Sequence, residues 1–302
     1  MGVVTRIEWC DHTFNPWIGC TKISPACDHC YAESLALRYK WAEWGAGKPR
    51  HRTSPPTWRK LLAWDAAAGA AGVRRRVFIA SLADWADKEV PDQWRADLFA
   101  LIRQTRYLDI LLLTKRHALA ARILERWAAD LSDRIRIGFT IEAKASGLAG
   151  VRLYHLDQLA RAGWQTFVSY EPALGPVDWL PWLQKGTIGW LIAGGESGAQ
   201  ARAPHPDWFR AARDACTATG VPFHFKQWGE WAPLSKPVRV PFGHRTPKGL
   251  TLVPRHGYCD GDGVVSKVVL NGTYMRRVGK GEAGAMLDGR EWREFPAPMG
   301  RP

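Results

Sequence analysis

The sequence predicts an α/β fold: a partial TIM-like (β/α)6 barrel of parallel strands, followed by an irregular, partly β C-terminal extension. Three observations predict it. From about residue 75 to 231, short β-rich runs alternate with helix-like segments, the pattern of parallel strands joined by crossover helices. The runs are apolar almost throughout, as strands covered on both faces are. Each run then ends in polar or reactive side chains, as strands do at the ligand-binding edge of a parallel sheet.

The strand runs are Val77–Ala80, Ile110–Leu113, Ile135–Thr140, Thr166–Ser169, Trp190–Ala193 and Phe223–Phe225. The first helix is expected over Tyr31–Trp44. Another covers His117–Ala129, where Leu119, Ile123, Leu124 and Trp127 recur at helical spacing. A third covers Asp207–Thr219, with Pro204 and Pro206 ahead of it and Gly220 behind. Beyond Trp231 the alternation stops and Pro and Gly dominate. Gly257–Leu270 reads as a β-hairpin turning at Gly261-Asp262-Gly263. The chain therefore divides into a barrel, 1–231, and a basic extension, 232–302.

The rim side chains are Ser81, Asp84 and Asp87 after the first run, and Thr114, Lys115 and Arg116 after the second. Glu142 follows the third. Ser169, Tyr170 and Glu171 follow the fourth, Gly194-Gly195-Glu196-Ser197 the fifth, and Lys226, Gln227, Trp228 and Glu230 the sixth. Any one strand ending in polar residues is only a strand meeting solvent. Six ending alike describe the rim of a site, on which Glu196, Lys226 and Tyr170 are the candidate catalytic groups.

Composition narrows the class. With 46% hydrophobic and 24% charged residues, the 302-residue chain is expected to be globular. Its apolar runs are too short to span a bilayer, and no export signal is evident. There are 42 Lys and Arg against 29 Asp and Glu, a net charge of +13, and 17 Trp. The charge points to a polyanionic partner.

Three of the six cysteines, Cys20, Cys27 and Cys30, fall in one short stretch with the spacing C-x6-C-x2-C. Such soft ligands on one loop can hold three irons of a [4Fe–4S] cluster and leave the fourth open. They also suit zinc, with Cys10, His12 or His29 as the fourth ligand. A metal-dependent nuclease built on Asp84, Glu142, Glu171 and Glu196 is a further reading, and needs those carboxylates to cluster in space.

A three-cysteine loop opening the first helix of a (β/α) barrel, with Tyr31 after the last cysteine, resembles the radical S-adenosylmethionine superfamily. The superfamily's usual spacing is C-x3-C-x2-C, so this loop carries three extra residues. The longer match is to a phage-associated branch of unknown function. It runs through Ile7-Glu8-Trp9, Thr13-Phe14-Asn15-Pro16, Gly19–Glu33, Ala193–Gly198 and Phe225–Trp231. The resemblance implies a cytoplasmic iron–sulfur enzyme whose open iron takes S-adenosylmethionine, with an electron donor such as flavodoxin or ferredoxin. It implies that Cys20, Cys27 and Cys30 are the cluster ligands. The superfamily's Gly-Gly-Glu near the second strand is absent here, so Asp84 is the candidate for the methionine amino group. Lys115 or Arg116 would meet the carboxylate, and Glu142 or Ser169 the ribose. Glu171, Gly194 and Gly195 complete the cofactor candidates.

Residues 38–60 carry Arg38, Lys40, Lys48, Arg50, Arg52, Arg59 and Lys60, interleaved with Tyr39, Trp41, Trp44 and Trp58. Cations neutralise phosphates and aromatic rings stack on bases, so this mixture suits nucleic acid, DNA ahead of RNA. Arg74-Arg75-Arg76 adds to it. A repair or modification activity on nucleic acid, of the kind light-independent photoproduct lyases perform, is the expectation. A zinc-stabilised nucleic-acid-binding protein without turnover is the alternative.

Overall fold

The computed structural model describes residues 5, 7–144, 147–234, 250–254 and 272–300. Its centre is one seven-stranded parallel sheet. The strands are β1 (His12–Phe14), β2 (Arg75–Ile79), β3 (Leu108–Thr114), β4 (Ile135–Thr140), β5 (Gln165–Tyr170), β6 (Leu191–Gly194) and β7 (Phe223–Gln227). They pair in chain order, each parallel to the last, and β7 does not return to β1. The sheet is thus a curled, open half-barrel. All six expected strands are present. The seventh, β1, is three residues long and too short to show as an apolar run.

The connecting helices are α1 (Tyr31–Arg38), α2 (Pro55–Ala70), α3 (Asp92–Arg103), α4 (His117–Trp127), α5 (Leu148–Arg161), α6 (Leu180–Gln184) and α7 (Pro206–Thr219). In α7 the sequence signals act as read. His205 Nδ1 accepts from the Asp207 backbone N–H, Pro206 opens the first turn, and Gly220 closes the helix at φ +69°. Helix α1 stops at Arg38, six residues short of the expected end.

Strand alternation sorts the core into two faces. Ile110, Leu112, Ile135, Ile137, Phe139, Val168 and Tyr170 point outward and pack under the helices. Phe78, Leu111, Phe167, Trp190 and Ile192 point into the concave side, where Trp9 plugs the barrel. The Trp9 ring centroid lies 4.6 Å from that of Phe78. Gly138 is required in β4 because a Cβ there would fall 2.3 Å from the Phe167 ring. Truncating so buried an aromatic plug costs about 3–5 kcal/mol.

The C-terminal residues lie against the barrel. Trp231–Pro233, Gly272–Arg277 and Leu250–Pro254 form a three-stranded antiparallel sheet with Gly272–Arg277 in the middle. The Phe225 N–H donates to Trp292 O at 2.8 Å, and Trp190 Nε1 donates to Glu294 O at 3.0 Å. Arg293 pairs with Glu8, which ties the segment around residue 293 to the one just ahead of β1. The hairpin expected at Gly257–Leu270 lies outside the described residues.

Candidate functional site

All seven strands run the same way, so their C-terminal ends share one rim. The cysteine loop follows β1 there and roofs a cavity of about 390 Å³, a size that suits a cofactor or small substrate. Cys20, Cys27 and Cys30 all line it. They are free thiols and half-buried.

The loop has few apolar side chains to bury, and three arginines hold it instead. Arg116 Nη1 donates to Cys20 Sγ at 3.4 Å, and its Nη2 to Thr21 O at 2.9 Å. Arg50 Nη2 donates to Thr21 Oγ1 at 2.7 Å, and its Nη1 to Gly45 O and Lys48 O. Arg202 Nη2 donates to Pro25 O at 2.8 Å, and its Nη1 to Asp28 Oδ2 at 3.2 Å. Each guanidinium is anchored by its own carboxylate: Arg116 by Asp84 at 2.9 Å, Arg50 by Asp87 at 2.7 Å and Arg202 by Glu196 at 2.6 Å. The planar fork of arginine serves several acceptors at once, which lysine cannot do. Asn15 fixes the neighbouring turn: its Oδ1 accepts from the Leu82 N–H at 2.8 Å and its Nδ2 donates to Ser81 Oγ at 3.0 Å. Tyr31, after the last cysteine, donates its hydroxyl to Ser81 O at 2.8 Å.

Electrostatics follow from these contacts. Burial pushes the Cys20 thiol up to about 12; Asp84 adds to this and Arg116 opposes it. A coordinating metal deprotonates such a thiol outright. Burial works to raise the Glu196 pKa, but Arg202 and His29 outweigh it and hold the carboxyl below its ordinary value.

The cavity floor is polar on one side. Lys226 Nζ lies 2.7 Å from Glu171 Oε1, and Gln227 Nε2 donates to Ser197 Oγ at 3.0 Å. Thr140 and Ser169 also line the cavity, as do the apolar Trp9, Phe78 and Leu113. Gly195 and Gly229 let the β6 and β7 loops cross: a Cβ on Gly195 would sit 1.9 Å from Trp228 O.

The structure therefore gathers Cys20, Cys27, Cys30, Asp84, Lys115, Arg116, Ser169, Glu171, Gly195, Glu196 and Lys226 around one cavity. Three rim candidates lie elsewhere. Tyr170 is fully buried on the helix side of β5, its hydroxyl donating to Gly175 O, because it alternates with the inward Ser169. Glu142 forms a buried ion pair with Arg152. Gly194 is covered by the Glu171 side chain, 3.2 Å from where a Cβ would stand.

Asp84 lines the cavity but is fully committed. It accepts from Thr114 Oγ1, from the Ala86 and Lys115 N–H groups and from Arg116, leaving no lone pair for a methionine amino group. Arg116 is likewise engaged. Lys115 forms no ion pair among the described residues and is the cation in this group left for a ligand.

The basic residues separate. Arg50 is buried against Asp87 and is part of the loop's scaffold, not a nucleic-acid contact. Arg52 pairs with Asp97 at 2.6 Å and stacks over Trp58. Arg75 sits at the N-terminal end of β2 beside Asp11, on the opposite rim from the cysteines. Lys48 pairs with Glu43, and Arg38 and Arg59 are exposed.

Two metal readings lose their geometry. Asp84, Glu171 and Glu196 line the cavity but each is engaged by its own cation, and Glu142 is paired with Arg152 outside it, so the four nuclease carboxylates do not form one site. Among the described residues, no three His, Cys, Asp or Glu side chains close round a single metal ion. Cys10 and His12 line a separate depression, with His12 stacked on Trp64, and His29 is held by Glu196 at 3.2 Å. None completes a tetrahedral zinc site with the three thiols. Cys20, Cys27 and Cys30 are nonetheless all half-buried and line the one cavity.

Ser197 and Gln227 stand on the rim as expected from the sequence, whereas Arg202 was missed: it carries no local signal, since it sits in an irregular stretch.

Fold and site together define a class: an open parallel α/β half-barrel with a three-cysteine loop over its C-terminal cavity. A family model described as a protein of unknown function, DUF5131, matches residues 4–296, and the chain belongs to that family. No curated protein matches the sequence. Among solved structures it is similar to a spore photoproduct lyase variant with bound AdoMet and dinucleoside spore photoproduct, at 13% identity and a TM-score of 0.44. That match covers 69% of this chain and 60% of the other. A spore photoproduct lyase complexed with dinucleoside spore photoproduct matches at 12% identity and a TM-score of 0.43, covering 71% of this chain and 64% of the other. A further spore photoproduct lyase variant matches at 11% identity and 0.45, covering 91% and 73%.

Proposed function

We propose that this protein is a radical S-adenosylmethionine enzyme acting on nucleic acid, DNA ahead of RNA, in repair or modification. The observation that carries the reading is the placement of Cys20, Cys27 and Cys30 on one arginine-clamped loop over the cavity at the C-terminal rim. The three thiolates would hold three irons of a [4Fe–4S] cluster. With S-adenosylmethionine bound, such a cluster would supply one-electron reductive chemistry at the sulfonium.

The remaining chemistry belongs to this chain's residues. Arg116 steadies the first ligand by donating to its sulfur. The Lys115 ammonium would meet the ligand carboxylate. The Thr140 and Ser169 hydroxyls would bind ribose. Trp9, Phe78 and Leu113 exclude water from the floor. Lys226 and Glu171, paired at 2.7 Å, face the volume left for the substrate and orient it by hydrogen bonds. Glu196 serves by holding Arg202 on the loop. The barrel, 1–231, would carry the catalysis, with 232–302 as its cover. A cytoplasmic setting and a small redox protein such as flavodoxin or ferredoxin belong to the same proposal. No described helix is long and apolar enough to cross a membrane.

Anaerobic reconstitution tests it. Four irons and four sulfides per chain are expected, lost in Cys27→Ala, with 5′-deoxyadenosine formed on addition of dithionite and S-adenosylmethionine. Stoichiometric zinc without iron uptake overturns it.

A further inference from the structure

Helix α1 ends without a glycine. The Trp41 N–H donates to Ala36 O at 2.9 Å and the Lys40 N–H to Leu37 O at 3.2 Å, the paired bonds of a Schellman closure. The residue that turns left-handed is Lys40, at φ +53°. Glycine would take that conformation without the steric cost a side chain brings. Retaining lysine there keeps a cation between two aromatic residues.

The turn brings those aromatics face to face. The Tyr39 and Trp41 rings lie 4.9 Å apart at 20°. Both are exposed, Tyr39 at 53% and Trp41 at 39%, whereas Trp9, Trp17, Trp85 and Trp190 are buried. The Arg38 guanidinium lies 5.7 Å from the Tyr39 ring centre. Neither Arg38 nor Lys40 forms an ion pair among the described residues. The corner is therefore a preformed aromatic stack on the surface, flanked by two cations free to meet anions.

Its place matters. The same loop continues to Trp44, which lines the cavity, and the Gly45 N–H donates to Cys20 O at 2.9 Å. Helix α1 begins right after Cys30 and is about 12 Å long. The stack thus stands three residues ahead of the cavity-lining Trp44, at the far end of the helix that Cys30 opens.

We infer that the Tyr39–Trp41 corner is a stacking platform for an unpaired nucleobase, holding a single-stranded or locally opened nucleic acid while a nearby nucleotide enters the cavity. This rests on nucleic acid being the substrate class. Every base has a face on which an aromatic ring can stack, whereas a duplex hides those faces; the cations take the flanking phosphates.

The test uses the anaerobically prepared full chain and a fluorescein-labelled single strand of about 12 nucleotides, with the matching duplex as comparison. The single strand is expected to bind more tightly than the duplex. Trp41→Ala should weaken single-strand binding roughly tenfold with the salt dependence unchanged, and Trp41→Phe should restore most of it. Arg38→Ala should lower the salt slope by about one. Circular dichroism melts matching wild type show that the variants fold. Wild-type binding that Trp41→Ala leaves intact, or equal affinity for duplex and single strand, overturns the platform while sparing the nucleic-acid reading. No binding of either probe by wild type overturns both. Slower reduction by flavodoxin in Trp41→Ala, with oligonucleotide binding unchanged, overturns the platform and makes the corner a redox-partner surface.

Discussion

Arg116 reaches from the end of β3 to within 3.4 Å of Cys20 Sγ, while its other contacts hold Asp84 and the Thr21 carbonyl. One guanidinium thus fixes the first thiol of the loop to the sheet. Both members of the Arg116–Asp84 pair are nearly buried, with 8% side-chain exposure each. Arg116→Ala strands the Asp84 carboxylate and is expected to lower stability by about 3 kcal/mol. Arg116→Lys keeps the charge but not the fork, so iron loading should fall in both variants. Urea unfolding and iron content per chain check this; wild-type loading in Arg116→Ala would mean the loop needs no such fastener.

His224 gives a pH signature. It is fully buried between Trp190 and Phe295. Burial, reinforced by Arg293, Arg76 and Lys226, pulls its pKa down to about 3. The unfolded chain protonates this histidine near pH 6.5; the folded chain does so only near pH 3. In between, the unfolded state holds the extra proton, so stability falls as pH drops, by about 1.4 kcal/mol per unit. By pH 5 the loss is about 2 kcal/mol. His224→Phe should remove that component, seen as a smaller shift of the urea midpoint between pH 7 and pH 5 than in wild type.

Much of this was legible in the sequence, for reasons that also explain what was not. The six strand runs showed because strands packed on both faces need continuous apolar side chains. The site rim showed because all strands end on one side. Tyr170 went astray through neglect of the period of two: Ser169 and Glu171 face the cavity, so the residue between them faces the helices. The end of α1 was hidden because lysine occupies the position where glycine normally announces a helix stop. Arg50 read as a surface cation because its partner, Asp87, lies 37 residues away in sequence. Helix α2 has an Ala-rich sequence with weak apolar periodicity and gave little signal.

The glycines separate packing from conformational freedom. Gly195→Ala would drive a methyl group into the Trp228 carbonyl at 1.9 Å, backbone against backbone. The β6 and β7 loops must then part, so a loss of several kcal/mol or failure to fold is expected. Gly150 lies in α5 at an exposed position with open space around it. Gly150→Ala should instead stabilise by about 0.5–1 kcal/mol. Thermal melts of both decide it, and a tolerant Gly195→Ala would mean the loop crossing is not rigid.

Lys115 and Asp84 make the sharpest pair of expectations at the site. Asp84 holds four donors within the protein, so its loss should act on the fold. Lys115 uses its backbone N–H on Asp84 but forms no side-chain ion pair among the described residues, and it lines the cavity. Lys115→Met should therefore leave stability within about 0.5 kcal/mol of wild type. It should weaken S-adenosylmethionine binding roughly tenfold, the value of one hydrogen bond to a charged group. Asp84→Asn should do the reverse, costing stability while the fraction that folds binds the ligand with little change. Anaerobic equilibrium dialysis beside urea unfolding separates them. If Lys115→Met binds normally and Asp84→Asn folds normally but loses the ligand, the carboxylate rather than the ammonium faces the bound molecule.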